Sequence, residues 1–224
     1  FPQHLANLNV GKLFFNTMLL VSLSSCLLIA LAFISNYGNR VSKSKFLKML
    51  NIFSISGYAI PGIILAVAFI TFISWFDNQI INHFEIQSIK PFFIGSIFGL
   101  VLVYFIRFYS LANNGIKSGY EKINYSIDES AYLLGYSKFK TFKNVHIPYL
   151  KNSILLISIL LTIEIIKELP ITLILRPFNF ETFATKAYLF ASQDLLEAAA
   201  APSLLLIVIA SFFILITSRH TLKE

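Results

Sequence analysis

Five long apolar segments constrain the fold of this chain more than any other feature of its sequence. They cover approximately residues 14–35, 52–76, 92–112, 150–169 and 198–217. A helix needs about 20 apolar residues to cross the bilayer core, and lipid offers no partners for unpaired backbone groups. Of the 224 residues, 56% are hydrophobic and 13% are charged, and a soluble domain of this size has no interior large enough to hide them. We therefore predict an all-α membrane protein with about five transmembrane helices.

The basic residues between these segments predict the orientation of the chain. Positive charge is concentrated in the loops after the first and third segments and in the tail, as Arg40, Lys43, Lys45, Lys48, Lys117, Lys122, Lys138, Lys140, Lys143, Arg219 and Lys223. The other two loops have no positive excess. Because basic loops stay on the cytoplasmic side, we predict that the N-terminus is out, the C-terminus is in, and residues 113–149 form a cytoplasmic loop. Residues 1–224 are expected to form a single transmembrane domain.

The distribution of histidine and acidic residues argues against a metal site or an enzyme. The four histidines are far apart in the sequence, and none is at metal-ligand spacing from a cysteine or a carboxylate. Serine, histidine and acidic residues do not recur at matching depth in the apolar segments, as an intramembrane catalytic site requires. We therefore predict no metal ligands, no catalytic residues and no cofactor bound by this chain.

The predicted cytoplasmic loop carries the signals of a short helix. Ser126 and Glu129 fit a capping box, in which each side chain bonds a free amide at a helix start. Gly135 stands where a helix ends in a left-handed turn. We predict about two helical turns between them, with an apolar face that includes Ile127 and Ala131. Since so short a helix is not stable alone, it must dock on the inner ends of the chain's own spans or on a partner.

The spacing of residues in this loop resembles the EAA loop of ABC importer permeases. The residues that carry the resemblance are Glu129-Ser130-Ala131, Gly135 after three more residues, and Val145-His146-Ile147-Pro148 after nine more. The family pattern is Glu-Ala-Ala, three residues, Gly, nine residues, Ile, any residue, Leu and Pro. Ser130, Val145 and Ile147 are conservative replacements within an unchanged spacing. The resemblance implies the type I ABC importer permease (MetI-like) core.

The same resemblance implies a coupling role for the loop. In the family it forms a coupling helix, which sits in a groove of the ATPase and transmits ATP-driven closure and opening to the spans. The ATPase-coupling residues implied here are Glu129, Ser130, Ala131, Gly135, Val145, Ile147 and Pro148. The sequence has no Gly-x-x-x-x-Gly-Lys-Ser/Thr phosphate loop, so ATP is expected on a separate ATPase dimer.

The implied setting is the bacterial cytoplasmic (inner) membrane, as a multi-pass subunit. The other implied partners are a second permease half, either the same or a related chain, and a soluble substrate-binding protein. No nucleic-acid partner is expected, because the basic residues are accounted for by membrane orientation.

Charged residues lie at the end of the fourth apolar segment. Glu164, Lys167 and Glu168 are three or four residues apart, so we predict that they share one helix face in the outer half of the bilayer. Charges in spans are costly and usually face a pathway or a partner charge. Three roles fit these charges. They could form an ion pair at a subunit contact, snorkel to the membrane surface, or lie at the outer mouth of a pathway. Together with Arg176 and Glu181, these residues are the candidates for a translocation path.

The stretch from residue 167 to residue 185 resembles the corresponding part of ferric-iron permeases. Those proteins have a similar Lys-Glu-Leu-Pro segment, then Leu-Arg-Pro-Phe and a Thr-x-Ala-Thr element, as residues 167–170, 175–178 and 182–185 do here. They are usually one chain with two similar halves, and this sequence matches only the second. We expect the first half to have been cut away or to be encoded separately.

The expected function is import of ferric iron that a soluble binding protein delivers. Import of thiamine, a polyamine or an oxyanion is the alternative within the same class of importers. A secondary transporter or channel is the alternative outside it.

Overall fold

The computed structural model describes residues 8–42, 49, 56–84, 93 and 95–221, which contain helices and no strands. In chain order the helices are α1 (Val10–Ser42), α2 (Gly62–Phe84), α3 (Ile97–Glu121), α4 (Tyr125–Leu133), α5 (Lys138–Tyr149), α6 (Lys151–Ile166), α7 (Pro170–Leu175), α8 (Phe183–Ala191) and α9 (Leu196–Thr221). A 3-10 turn, Ser56–Ala59, precedes α2, and the middle of α5 is a π-helical turn, Phe142–His146. The basic residues Lys43, Lys45, Lys48 and Lys223, and residues 52–55, 92 and 94 of the predicted segments, lie outside the described residues.

Four of these helices, α1, α2, α3 and α9, are long and apolar enough to cross a membrane. Helices α5 and α6 reach this length only as a pair, and the pair is bent by 67°. The prediction of about five transmembrane helices is therefore met by four, or by five if the bent pair is one span.

The second span begins later than its apolar segment. Helix α2 starts at Gly62, directly after Pro61, and residues 56–59 form the separate 3-10 turn. Proline has no N–H and a fixed φ, so it is tolerated at a helix start and disfavoured inside.

Helices α1, α3 and α6 pack against one another and form the centre of the core. Among their fully buried side chains are Leu28, Leu100 and Leu161. Glycines on α3 let α6 approach closely, because a Cβ at Gly115 would lie 2.6 Å from Ile157 and one at Gly119 would lie 2.7 Å from Ser153. This is the close contact of small residues that is typical of helix pairs in membranes.

Helix α1 defines two ends of the bundle, because its 33 residues extend over about 50 Å. At its C-terminal end, Arg40 contacts Asp128 of α4. Near its N-terminal end, the Asn16 side chain donates to the Glu181 carbonyl, between α7 and α8. We call these the Arg40 end and the Asn16 end.

Helix α9 presents a large apolar surface that the described residues leave uncovered. In the apolar stretch of α9 that is long enough to span a membrane, only 11% of the residues are buried. The exposed side chains include Leu204, Ile207, Val208 and Phe212. A soluble protein rarely exposes so continuous an apolar face, and lipid is the surrounding that suits it.

Substituting Gly57 tests the packing of the 3-10 turn on α3. An alanine Cβ at this position would lie 2.0 Å from the Ile106 carbonyl oxygen, so backbone must move. We expect Gly57→Ala to lower the free energy of unfolding by about 2 kcal/mol, measured by denaturation of the purified protein in detergent. Gly11→Ala is the control, because its Cβ would have no atom closer than 3.7 Å and alanine favours a helix. Equal stability of the two variants would contradict the packing.

Candidate functional site

Helix α4 is a defined element with a cap at each end. Its N-cap is Asn124, whose side chain accepts from the Ser126 N–H, so the predicted capping box of Ser126 and Glu129 is wrong. Asn124 precedes Ser126 by two residues in the chain. Asparagine is as good an N-cap as serine. At the other end, Gly135 has φ +82, as predicted. The Tyr136 N–H bonds the Ala131 carbonyl and the Gly135 N–H bonds the Tyr132 carbonyl, which together form a Schellman motif.

The two sides of α4 have different surroundings. Asp128 and Ala131 are buried against the rest of the chain. Leu133 is 89% exposed, and Leu134, which follows the helix, is 78% exposed. The helix therefore docks on its own spans with one side and leaves an apolar surface on the other.

A buried carboxylate holds the inner side of α4. Asp128 accepts from Arg40 Nε at 2.6 Å with one oxygen and bonds His146 Nε2 at 2.8 Å with the other. Asp128 is buried, and the His146 side chain is fully buried. His146 Nδ1 is also buried and has no hydrogen-bond partner among the described residues. The contact with an acceptor therefore fits a ring that carries its proton on Nε2.

Arg40 joins this cluster to the end of α3. Its two NH groups donate to the carbonyls of Tyr120 and Asn124, at 3.4 Å and 3.1 Å. These carbonyls lie at and just beyond the C-terminus of α3, where carbonyl groups have no N–H partner within the helix. The guanidinium carbon also lies 4.3 Å from the centre of the Tyr125 ring, a cation–π distance. One cation from α1 thus contacts α3 and α4 at once.

The predicted coupling residues do not form one surface. Glu129, Ser130 and Pro148 are exposed and Ile147 is 39% exposed, whereas Val145 is half-buried and Ala131 is buried.

Sequence reasoning missed the cluster beneath these residues, which consists of Arg40, Asp128 and His146. In the sequence, the one local indication of this cluster was Asp128, an acidic residue on the same side of the predicted helix as Ala131. Asp128 is 88 residues from Arg40 in the chain.

The charged residues at the end of α6 and just after it do not share one face as predicted. Glu164 and Lys167 form an ion pair of 2.7 Å, with Lys167 55% exposed. Glu168 instead is buried. The shared face assumed a continuous helix, but α6 ends at Ile166 and Pro170 starts α7, because proline cannot continue a hydrogen-bond ladder.

Glu168 pairs with an arginine from α3. Its Oε2 lies 3.2 Å from Arg107 Nε, and its Oε1 accepts from the Ile171 N–H at the start of α7. Arg107 also donates to the Ile60 carbonyl at 2.6 Å. A Cβ at Gly62 would lie 2.9 Å from Glu168 Oε1, so α2 begins directly against this carboxylate. The pair therefore links α2, α3 and α7.

At the Asn16 end, Glu181 lies between two cations. Lys186 Nζ is 3.1 Å and Arg176 NH1 is 3.6 Å from its oxygens. A cavity of about 210 Å³ opens here, and Lys12, Asn16, Glu181 and Lys186 are among its lining residues. Among the described residues of this region, Lys12, Arg176 and Lys186 outnumber Glu181, so their net charge is positive.

The described residues offer no group of three or more His, Cys, Asp or Glu side chains that could hold a metal ion. Each acidic candidate of the predicted path, Glu164, Glu168 and Glu181, already contacts a cation of the chain. A passing cation would have to compete with that contact.

Removing the Glu168 charge tests the buried pair. Glu168→Gln leaves Arg107 without its counter-ion, and we expect a loss of about 3 kcal/mol in the free energy of unfolding. The matched control is Glu164→Gln, whose partner Lys167 is exposed, with an expected loss of about 0.5 kcal/mol. Denaturation in detergent measures both. If the two variants unfold alike, Arg107 does not depend on Glu168.

Comparison with known proteins gives a distant sequence relative and several structural neighbours. No family model matches the chain. Over 145 residues, 65% of this chain, it is 22% identical to the Fe(3+)-transport system permease protein FbpB 2 of Haemophilus influenzae. The match covers 26% of that protein, so it spans about a quarter of the relative's length.

Two of the structural neighbours come from a bacterial ABC transporter that imports the acidic polysaccharide alginate. A chain from its complex with an alginate pentasaccharide-bound periplasmic protein superposes with a TM-score of 0.71 at 17% identity, covering 92% of this chain and 76% of that one. A chain from a second structure of a bacterial alginate importer has a TM-score of 0.71 at 17% identity, covering 95% and 78%. In fold and in sequence, the chain resembles the permease subunits of ABC importers.

Proposed function

We propose that this chain is a transmembrane permease subunit of an ATP-driven importer and that the outer side of α4 docks on a separate ATPase. The observation that carries the proposal is a short helix held from beneath by the buried Asp128 while Leu133 and Leu134 stay exposed. A surface of this kind marks a protein contact.

The surroundings of this surface favour a protein partner over lipid. Phe139, in the next helix, is 72% exposed. The exposed Lys138, Lys140 and Lys143 lie in the same segment. Ammonium groups are excluded from the hydrocarbon core, so this apolar surface belongs outside the bilayer.

The same lysines support the orientation. Basic loops stay on the cytoplasmic side, so the Arg40 end faces the cytoplasm in this proposal, with the N-terminus out and the C-terminus in. The setting is the bacterial inner membrane. ATP is then available to a partner ATPase, which supplies the nucleotide site that the chain's sequence lacks.

The residues of the EAA-like loop divide into two roles in this proposal. Glu129, Ser130, Ile147 and Pro148 contact the ATPase, because they are exposed. Ala131, Gly135 and Val145 set the shape and seating of α4. A second permease half and a soluble substrate-binding protein complete the importer.

Ferric iron is the substrate we propose, on the strength of the sequence relative and of the 167–185 stretch. The relative is described as an Fe(3+)-transport permease. Because Glu164, Glu168 and Glu181 contact basic residues of the chain, iron in this proposal passes without being held by these carboxylates.

An anionic solute is the second candidate. The specific observation in its favour is the positive excess of Lys12, Arg176 and Lys186 over Glu181 around the cavity at the Asn16 end. A path for a free cation gains nothing from that charge, whereas a path for an oxyanion does.

Uptake of radiolabelled ferric iron tests both parts of the proposal. Cells that lack the chain are restored with the wild type, with Leu133→Asp or with Asn144→Asp, and membrane levels are matched. We expect loss on deletion and recovery with the wild type. Leu133→Asp should stay at least tenfold below the wild type, because an acid replaces the exposed apolar contact. Asn144→Asp, which adds the same charge at an exposed position of the same loop, should recover.

Three outcomes separate the parts. If deletion leaves iron uptake intact and lowers uptake of labelled phosphate or sulfate, the anion candidate replaces iron. If deletion changes the uptake of none of these solutes, both substrate proposals are wrong. If Leu133→Asp restores uptake fully, the docking role of α4 is wrong.

A further inference from the structure

Of the two acidic residues in α4, the buried one faces the spans. Glu129 is exposed, whereas both oxygens of Asp128 are occupied by side chains of other helices, Arg40 on α1 and His146 on α5. A buried carboxylate is stable only with such partners. The separation of α4 from α1 is therefore fixed more tightly than apolar contact alone would fix it.

Helix α1 continues from this cluster to the opposite end of the bundle. One turn before Arg40, the Asn36 side chain donates to Asn113 Oδ1 at 2.7 Å, which ties α1 to α3. At the Asn16 end, the Asn16 amide donates to the Glu181 carbonyl at 3.0 Å, and Thr17 Oγ1 accepts from the Phe183 N–H at 3.3 Å. These bonds hold the segment whose Glu181 side chain lines the cavity.

We propose that Arg40, Asp128 and His146 are positioning residues that make α1, α4 and α5 one rigid unit. Displacement of α4 is thereby carried along α1 to the charged segment at the Asn16 end. The inference rests on the proposed function, because the ATPase supplies the displacement. Contacts alone do not demonstrate that two sites move together. The test therefore measures movement at α4 and at the Asn16 end.

The rigid unit is tested on the full chain without any partner. With the single cysteine changed to serine (Cys26→Ser), spin labels are placed at exposed positions Ile34 on α1 and Ser126 on α4. Pulsed electron paramagnetic resonance should show one narrow distance distribution. Arg40→Gln should broaden its width at least twofold. The matched control is Lys117→Gln, which removes an exposed ion pair with Glu121 at the same end and should leave the width unchanged. An unchanged width in Arg40→Gln overturns the inference.

Coupling is tested in the complex with the ATPase. A second label pair, at the exposed Lys12 on α1 and the exposed Trp75 on α2, reports on movement of the Asn16 end of α1 relative to α2. We expect ATP to change this distance in the wild type and to leave the Ile34–Ser126 distance unchanged.

In Arg40→Gln, the ATPase should still co-purify and hydrolyse ATP, because the outer side of α4 is intact, while the change at the Asn16 end is lost. If Arg40→Gln only lowered the stability of the chain, the amount of complex with the ATPase and the rate of ATP hydrolysis would fall together. A wild-type Ile34–Ser126 distance that changes with ATP, or an Arg40→Gln complex that responds like the wild type, overturns the inference. If no ATPase co-purifies with the wild type, the proposed function fails, and the rigid unit is still judged by the first label pair.

Discussion

The contact between Arg40 and Asp128 determines how the loop at one end of this protein is built. A carboxylate removed from water requires a counter-charge and hydrogen bonds for both oxygens, and Arg40 and His146 supply them. Helix α4 is too short to be stable alone, so its position follows from this contact and from the two caps. The exposed leucines are a consequence, since the side of α4 that faces inward is already occupied.

The same rule of paired charge explains the irregular region after α6. Glu168 follows a helix end, and its carboxylate contacts α3 and the first turn of α7. Without Arg107, the buried charge of Glu168 would be among the most costly features of the bundle. The break before Pro170, the glycine that begins α2 and the position of Arg107 are thus parts of one arrangement.

Sequence reasoning reached the features that depend on local patterns. Apolar length predicted the spanning helices, and the Gly135 position predicted a left-handed helix end that the structure contains. It misplaced the start of α4, because Asn124 and Ser126 are both good caps and only the fold selects one. It placed Glu168 on the face of Glu164 because helical periodicity was extended past Ile166, where α6 ends ahead of Pro170.

The buried partners could not be reached in this way. Arg40 and Asp128, or Arg107 and Glu168, are distant in the chain, and no repeat or spacing connects them. Within the sequence, Arg40 was indistinguishable from a residue that only marks the cytoplasmic side. Chain topology, not local pattern, brings these charges together.

The proposed contact between the exposed side of α4 and an ATPase can be measured by site-specific photo-crosslinking in cells. A photoreactive amino acid is placed at Leu133, or at Phe72, which is exposed on the membrane-length helix α2. We expect an adduct with an ATP-binding subunit from position 133 and none from position 72. No such adduct at 133 while the protein is present in the membrane, or equal adducts from both positions, would contradict it.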